Sequence, residues 1–172
     1  MKNILALAIV LPFIFSCNKT EEVNQQNQTE IQENIPNSEN KTNSESITNH
    51  IIIKSNDDMT FDKTSFTVKV GEEITLLLFN NGSSSKEAMG HNVVILNEGT
   101  DISSFAFAAS SEKENDYIPN EMKASIIAHT KLLGGKENDQ IKFKFDKVGE
   151  YDFICSFPGH TATMNGKIKV IN

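Results

Sequence analysis

Cys155-Ser-Phe-Pro-Gly-His160-Thr-Ala-Thr-Met164 places a thiol, an imidazole and a thioether within ten residues. A second imidazole lies upstream in Met89-Gly90-His91-Asn92, just before the apolar run Val93-Val94-Ile95-Leu96. Taken singly, each residue has an ordinary role. A buried cysteine is a small hydrophobe, a histidine at a strand end is hydrogen-bonded, and a methionine packs. Taken together, Cys-x4-His-x3-Met with a distant His is the donor set of a mononuclear electron-transfer copper site. Thiolate suits Cu(I), imidazole suits both oxidation states, and a weak axial thioether tunes the potential. Zinc is the competing metal, since it also takes cysteine and histidine. A methionine partner favours copper over zinc.

Such a site needs elements that bring two distant stretches together. Ser65 to Val70 alternates apolar and polar residues, as do Gln140 to Phe145, Tyr151 to Cys155 and Lys167 to Val170. Period two over these lengths is the mark of strands with one face on a core. Ile74 to Phe79 and Val93 to Leu96 are more uniformly apolar, as expected of interior strands. Glycine- and asparagine-containing turns separate them, at Gly71, Asn80-Asn81-Gly82, Gly134-Gly135 and Gly149. Short strands at this spacing predict an all-β sandwich or barrel. The Ala-rich stretch from Asp101 to Ser110 is the exception. It predicts a short helix between strands, capped by Thr100 or Asp101. Ser156-Phe157-Pro158-Gly159 reads as a loop, so Cys155, His160 and Met164 should surround one end of the sandwich.

The chain has 172 residues, a formal net charge of −7 and a pI near 5.1. This acidic balance argues against nucleic acid as a partner. The chain has no tryptophan and eleven phenylalanines, so a core rich in Phe, Ile, Leu and Val is expected. The first 16 residues read as a signal segment: a basic start, then an apolar run from Ile4 to Phe15 that is too short to span a bilayer. Ile14-Phe15-Ser16-Cys17 resembles a bacterial lipobox, which makes Cys17 the lipidated mature N-terminus. A plain signal peptide with an incidental cysteine is the alternative. Residues 17–48 are rich in Asn, Gln and Glu and almost lack apolar residues. They read as a disordered tether, with a root-mean-square span of roughly 30 Å. The domain proper is expected over residues 49–172.

Residues 49 to 172 resemble the azurins. Asn56-Asp57-Asp58-Met59, Met89-Gly90-His91-Asn92, Asp116-Tyr117-Ile118-Pro119, Ile127-Ala128-His129-Thr130-Lys131-Leu132 and Phe153-Ile154-Cys155-Ser156-Phe157-Pro158-Gly159-His160 stand in azurin order. The resemblance implies a Greek-key cupredoxin sandwich of about eight strands with one helical insertion. It implies one type 1 copper per chain, with His91, Cys155 and His160 as equatorial ligands. Met164 and the Gly90 carbonyl become the two weak axial ligands. Asn92 and the Phe157 amide are implied to hydrogen-bond the thiolate. Azurins usually have a disulfide early in the sandwich; with only Cys17 and Cys155 present, none is expected here. His129 matches a surface position, and His50 reads as an exposed strand residue rather than a ligand.

The implied function is single-electron transfer rather than enzymatic turnover, at the bacterial cell envelope. The expected exit is the exposed edge of His160. Met59, Met89, Phe157, Pro158 and Ala162 are expected to form an apolar docking patch around it. Small interfaces, below roughly 1,200 Å², suit transient redox encounters. Expected partners are redox proteins such as c-type cytochromes or a copper reductase, with the membrane reached through the lipid anchor. A copper oxidoreductase, such as a nitrite reductase, would need a second copper, on added histidines or a second domain, and only four histidines are present. A copper-buffering lipoprotein without a dedicated redox partner is the other reading.

Overall fold

Among the described residues the chain forms eight strands in two sheets. They are β1 (His50–Ser55), β2 (Ser65–Lys69), β3 (Ile74–Asn80), β4 (Val94–Leu96), β5 (Ile126–His129), β6 (Asn138–Phe143), β7 (Gly149–Ile154) and β8 (Asn165–Ile171). The computed structural model describes residues 46–172, and these fall within one compact unit, Thr42–Asn172. The signal segment, Cys17 and nearly all of the expected tether lie outside the described residues.

One sheet has the order β1-β3-β6 and the other β2-β8-β7-β4-β5. The pairs β1–β3 and β2–β8 are parallel, and the remaining pairs are antiparallel. Because β1, β2 and β3 alternate between sheets, the chain crosses the sandwich repeatedly, giving the Greek-key arrangement. Ile51 and Ile53 of β1, Ile74, Leu76 and Leu78 of β3, and Phe153 and Ile168 of the facing sheet are fully buried. Each such side chain contributes roughly 1.5–3 kcal/mol on leaving water. Phe153 packs between Phe61 and Phe66, at ring-centroid distances of 5.8 and 5.9 Å. Phenylalanine pairs thus fill space that no tryptophan occupies, and Val93 is fully buried.

The helical insertion forms where its composition places it. α2 (Ile102–Ala109) is capped by Asp101, whose carboxylate accepts from the Ser104 N–H at 2.7 Å. It buries Phe105 and Ala109 and leaves Phe107 exposed. A four-residue helix, α1 (Lys86–Met89), precedes Gly90, and two 3₁₀ segments, Lys113–Asn115 and Asn120–Ser125, precede β5. These three have no periodic signature in the sequence. β5 also has none, because all four of its residues are partly buried or exposed rather than alternating. At the amino end the ladder begins earlier than Asn49: Ile47 bridges Thr67. Among the described residues no helix is long and apolar enough to cross a membrane.

Candidate metal centre

Strand register decides which side chains meet. Val94 pairs with Ile154 across β4 and β7, and Ile154 pairs with Asn165 across β7 and β8. The chain just beyond these last rungs therefore converges at one end of the sandwich. His91 to Val93 precede β4, Cys155 follows β7 and Met164 precedes β8. The Cys155 N–H donates to the Met164 carbonyl at 2.8 Å, extending the ladder by one step into the site. His91 is held by reciprocal backbone bonds with Leu133, at 3.0 and 2.8 Å.

The loop between β7 and β8 is fastened by its own turns. The His160 N–H donates to the Phe157 carbonyl, and the N–H groups of Thr163 and Met164 donate to the His160 carbonyl. The Thr161 hydroxyl donates to the Cys155 carbonyl at 2.9 Å, and that of Thr163 to the Met59 carbonyl at 2.8 Å. Gly159, with φ +84°, turns the chain into His160 through a region unfavourable to other residues.

Donor atoms of His91, Cys155 and His160 lie within 4.8 Å of one another, and all three residues are buried. The Asn56 carbonyl can only accept, so its 2.9 Å contact with His91 Nε2 fixes the proton on that nitrogen. Nδ1 is then a bare lone pair. It is buried and has no hydrogen-bond partner in the protein. An acceptor stranded in this way is costly unless a cation completes it. Cys155 Sγ lies 3.7 Å from His160 Nδ1 and 4.0 Å from the Gly90 carbonyl oxygen. Met164 is fully buried beside them in sequence and fold. Gly90 is required by packing: a Cβ there would stand 2.6 Å from the Lys86 carbonyl oxygen and 2.8 Å from Leu132 Cγ. The residues present fit a soft, imidazole-binding metal ion.

Electrostatics agree with that fit. Burial pushes the Cys155 thiol up to about 11, against the pull of the backbone N–H groups of Asn92 and Phe157. Burial also pushes His160 down to about 4, with the neighbouring His91 adding to the effect. His91 is lowered chiefly by burial, against the contact with Asn56 and the charge of Asp57. The metal-free centre thus holds two neutral imidazoles and a thiol. A metal must displace the thiol proton, and two N–H donors already face the sulfur that would become a thiolate.

Asn92 divides its work. Its N–H faces the Cys155 sulfur. Its side chain accepts from the Ser156 N–H at 2.9 Å, and donates to the Ser156 hydroxyl at 2.8 Å and the Asp116 carbonyl at 3.2 Å. The Phe157 amide faces the sulfur as well.

The expected docking patch is corrected in one member. Phe157 is buried, at 9% exposure, because its ring packs edge-on against Tyr117 and against the His160 ring. Met59, Pro158 and Ala162 are exposed and Met89 is half-buried. His160 shows only 3% of its surface, so its outward edge is a narrow window rather than an open face. His50 and His129 are exposed, away from the donor cluster. Sequence reasoning did not find the Asn56 carbonyl, the Thr163–Met59 tie or the contact of Tyr117. Backbone carbonyls and ring contacts have no signal in residue type, although Asn56 and Tyr117 stand in quoted motifs.

Residues 47–171 match the family of copper binding proteins of the plastocyanin/azurin type. The chain belongs to that family. Azurin-1 of Alcaligenes xylosoxydans xylosoxydans is 36% identical over 124 residues, covering 70% of this chain and 95% of that protein. Outer membrane protein H.8 of Neisseria meningitidis is 37% identical over 123 residues, covering 70% of this chain but 66% of that protein's length. Among solved structures, auracyanin of Roseiflexus castenholzii is 31% identical with a TM-score of 0.62, covering 74% of this chain and all of that one. An azurin of Methylomonas sp. strain J is 29% identical with a TM-score of 0.64, covering 72% of this chain and 98% of that one. Copper is therefore the metal of this cupredoxin, and the cluster of His91, Cys155 and His160 has the arrangement of a type 1 site.

Proposed function

We propose that this cupredoxin carries single electrons between redox proteins of the bacterial cell envelope, tethered to a membrane through lipidated Cys17. His91, Cys155 and His160 would hold the copper, with the Met164 thioether and the Gly90 carbonyl as weaker donors. The observation that carries this reading is the buried, unpartnered Nδ1 of His91, aimed into a cluster that also holds a thiol and a second imidazole.

Copper supplies the one-electron couple. The chain's own residues do the rest. Asn56 holds the His91 tautomer that leaves Nδ1 free. The N–H groups of Asn92 and Phe157 stabilise charge on the Cys155 sulfur. Complete burial of Cys155 and Met164 keeps water from the donors. A centre held by packing and hydrogen bonds before metal arrives has little to rearrange when its charge changes. Pro158 and Ala162, exposed beside the His160 edge, with Met59 and Met89, form the apolar surface for a brief redox encounter. The likeness to an outer membrane protein supports the envelope location. The tether of residues 17–48 sets the reach of the domain, residues 49–172, from the membrane.

The test is spectroscopic. Cu(II) added to the metal-free protein is expected to give an intense blue sulfur-to-copper charge-transfer band and a reversible voltammetric wave. Cys155→Ser is expected to lose the band. A colourless copper complex in the wild type would refute the ligand assignment. A coloured centre unable to exchange electrons with a small c-type cytochrome would refute the carrier role and leave copper storage.

A further inference from the structure

The two imidazoles are oriented by different means. His91 is fixed by the hydrogen bond from Nε2 to the Asn56 carbonyl. His160 has no such bond from its Nε2 among the described hydrogen bonds; its Nδ1 faces the Cys155 sulfur. Its ring instead packs on Phe157, at a centroid distance of 4.6 Å, and on His91, at 5.0 Å. Phe157 is in turn backed by Tyr117, edge-on at 5.0 Å. Tyr117 is the last ring of this stack, and it borders a small surface hollow rimmed by Lys86, Lys113 and Glu114.

The backbone under Tyr117 is unusual. Asp116 and Tyr117 are consecutive non-glycine residues in the left-handed region, at φ +53° and +59°. That conformation is costly for any residue with a Cβ, and most of all for a bulky one. It persists only where the surroundings over-determine it. Here the Asp116 carbonyl accepts from Asn92 Nδ2, its carboxylate accepts from the Leu132 N–H, and the Tyr117 N–H donates to the Glu112 carbonyl. Through Asn92 the same turn is joined to Ser156, which lies between Cys155 and Phe157.

We propose that Tyr117 is a positioning residue for the copper centre: its ring, aimed by the left-handed Asp116-Tyr117 turn, clamps Phe157 against His160 and fixes the imidazole plane. This rests on His160 as a copper ligand. The ring is the working part, because the edge contact is made by the ring and not by the hydroxyl. A left-handed turn built only for connection would be served better by glycine, which adopts it without strain.

The experiment uses the full-length protein with three substitutions, Tyr117→Phe, Tyr117→Gly and Tyr117→Leu. Tyr117→Phe keeps the ring and should match the wild type. Tyr117→Gly relieves the turn and removes the ring. It should stay folded, yet bind Cu(II) roughly two- to tenfold more weakly, the value of one aromatic contact expressed as a binding ratio. Its Cu(II) electron-resonance lines should broaden, reporting a spread of His160 orientations. Tyr117→Leu should follow Tyr117→Gly. A readout without metal uses the apo wild type, where NMR should show slow flipping of the Phe157 ring, and fast flipping in Tyr117→Gly. Fast flipping in the wild type itself would overturn the clamp even if every variant failed to fold. Wild-type affinity and line width in Tyr117→Gly would overturn it too, as would a defect in Tyr117→Phe equal to that in Tyr117→Gly. A wild-type protein that fails to bind copper through His160 would instead overturn the ligand assignment beneath it.

Discussion

Asn92→Leu removes the side chain that joins the two halves of the centre while keeping the backbone N–H that faces Cys155. Asn92 is fully buried and Ser156 is 1% exposed. The substitution leaves the Ser156 N–H, the Ser156 hydroxyl and the Asp116 carbonyl without their partner. An unpaired buried polar group costs about 1–3 kcal/mol. The Ser156 N–H bears that cost in full. The hydroxyl can rotate and the half-buried Asp116 can reach water, so each bears less. The sum is a loss of about 2–4 kcal/mol, a large part of the 5–15 kcal/mol typical of a domain. Urea titration of the metal-free protein measures it: the midpoint should fall with the slope unchanged. A double-mutant cycle with Ser156→Ala should be non-additive by about 0.5 kcal/mol or more, since the two residues share a hydrogen bond. A loss below about 1 kcal/mol, or strict additivity, would show that the side chain packs without joining the loops, and the account of the centre as preassembled would fail.

Met164→Gln places a harder oxygen donor beside copper and should lower the reduction potential, whereas Met164→Leu offers none and should raise it; voltammetry showing both shifts in one direction would make Met164 a packing residue. Acid should destabilise the metal-free protein. Burial lowers His160 from 6.5 to about 4, so stability from the neutral ring is complete above pH 6.5 and is lost as pH falls through that window, by about 3 kcal/mol. His91 is shifted in the same direction; urea midpoints that stay flat from pH 7 to 4 would contradict this. Cys17→Ser should abolish incorporation of labelled palmitate and release the protein from the membrane fraction, and an unlabelled wild type would remove the proposed anchor.

Period-two patterning and the glycine turns were enough to specify short strands in a sandwich or barrel, because alternating burial is a property of residue order alone. The helix over Ile102–Ala109 was legible for the same reason, through its composition and its Asp101 cap. The cluster of His91, Cys155 and His160 was legible because thiol and imidazole chemistry belongs to residue type, and Cys-x4-His spans a single loop. Where sequence reasoning reached furthest it used motif order, which brought His91 to Cys155 across 64 residues, a juxtaposition that strand register makes by pairing Val94 with Ile154. Other features belong to the tertiary structure alone. β5 lacked alternation because its residues are only partly covered. Phe157 read as surface from its place in a Pro-Gly loop, yet Tyr117, 40 positions earlier, covers it. The bare Nδ1 of His91 exists because the carbonyl of Asn56, 35 residues away, takes the proton-bearing nitrogen. Every peptide unit has such a carbonyl, so residue type cannot say which one will be aimed at a ring; only the packing of one loop against another decides it.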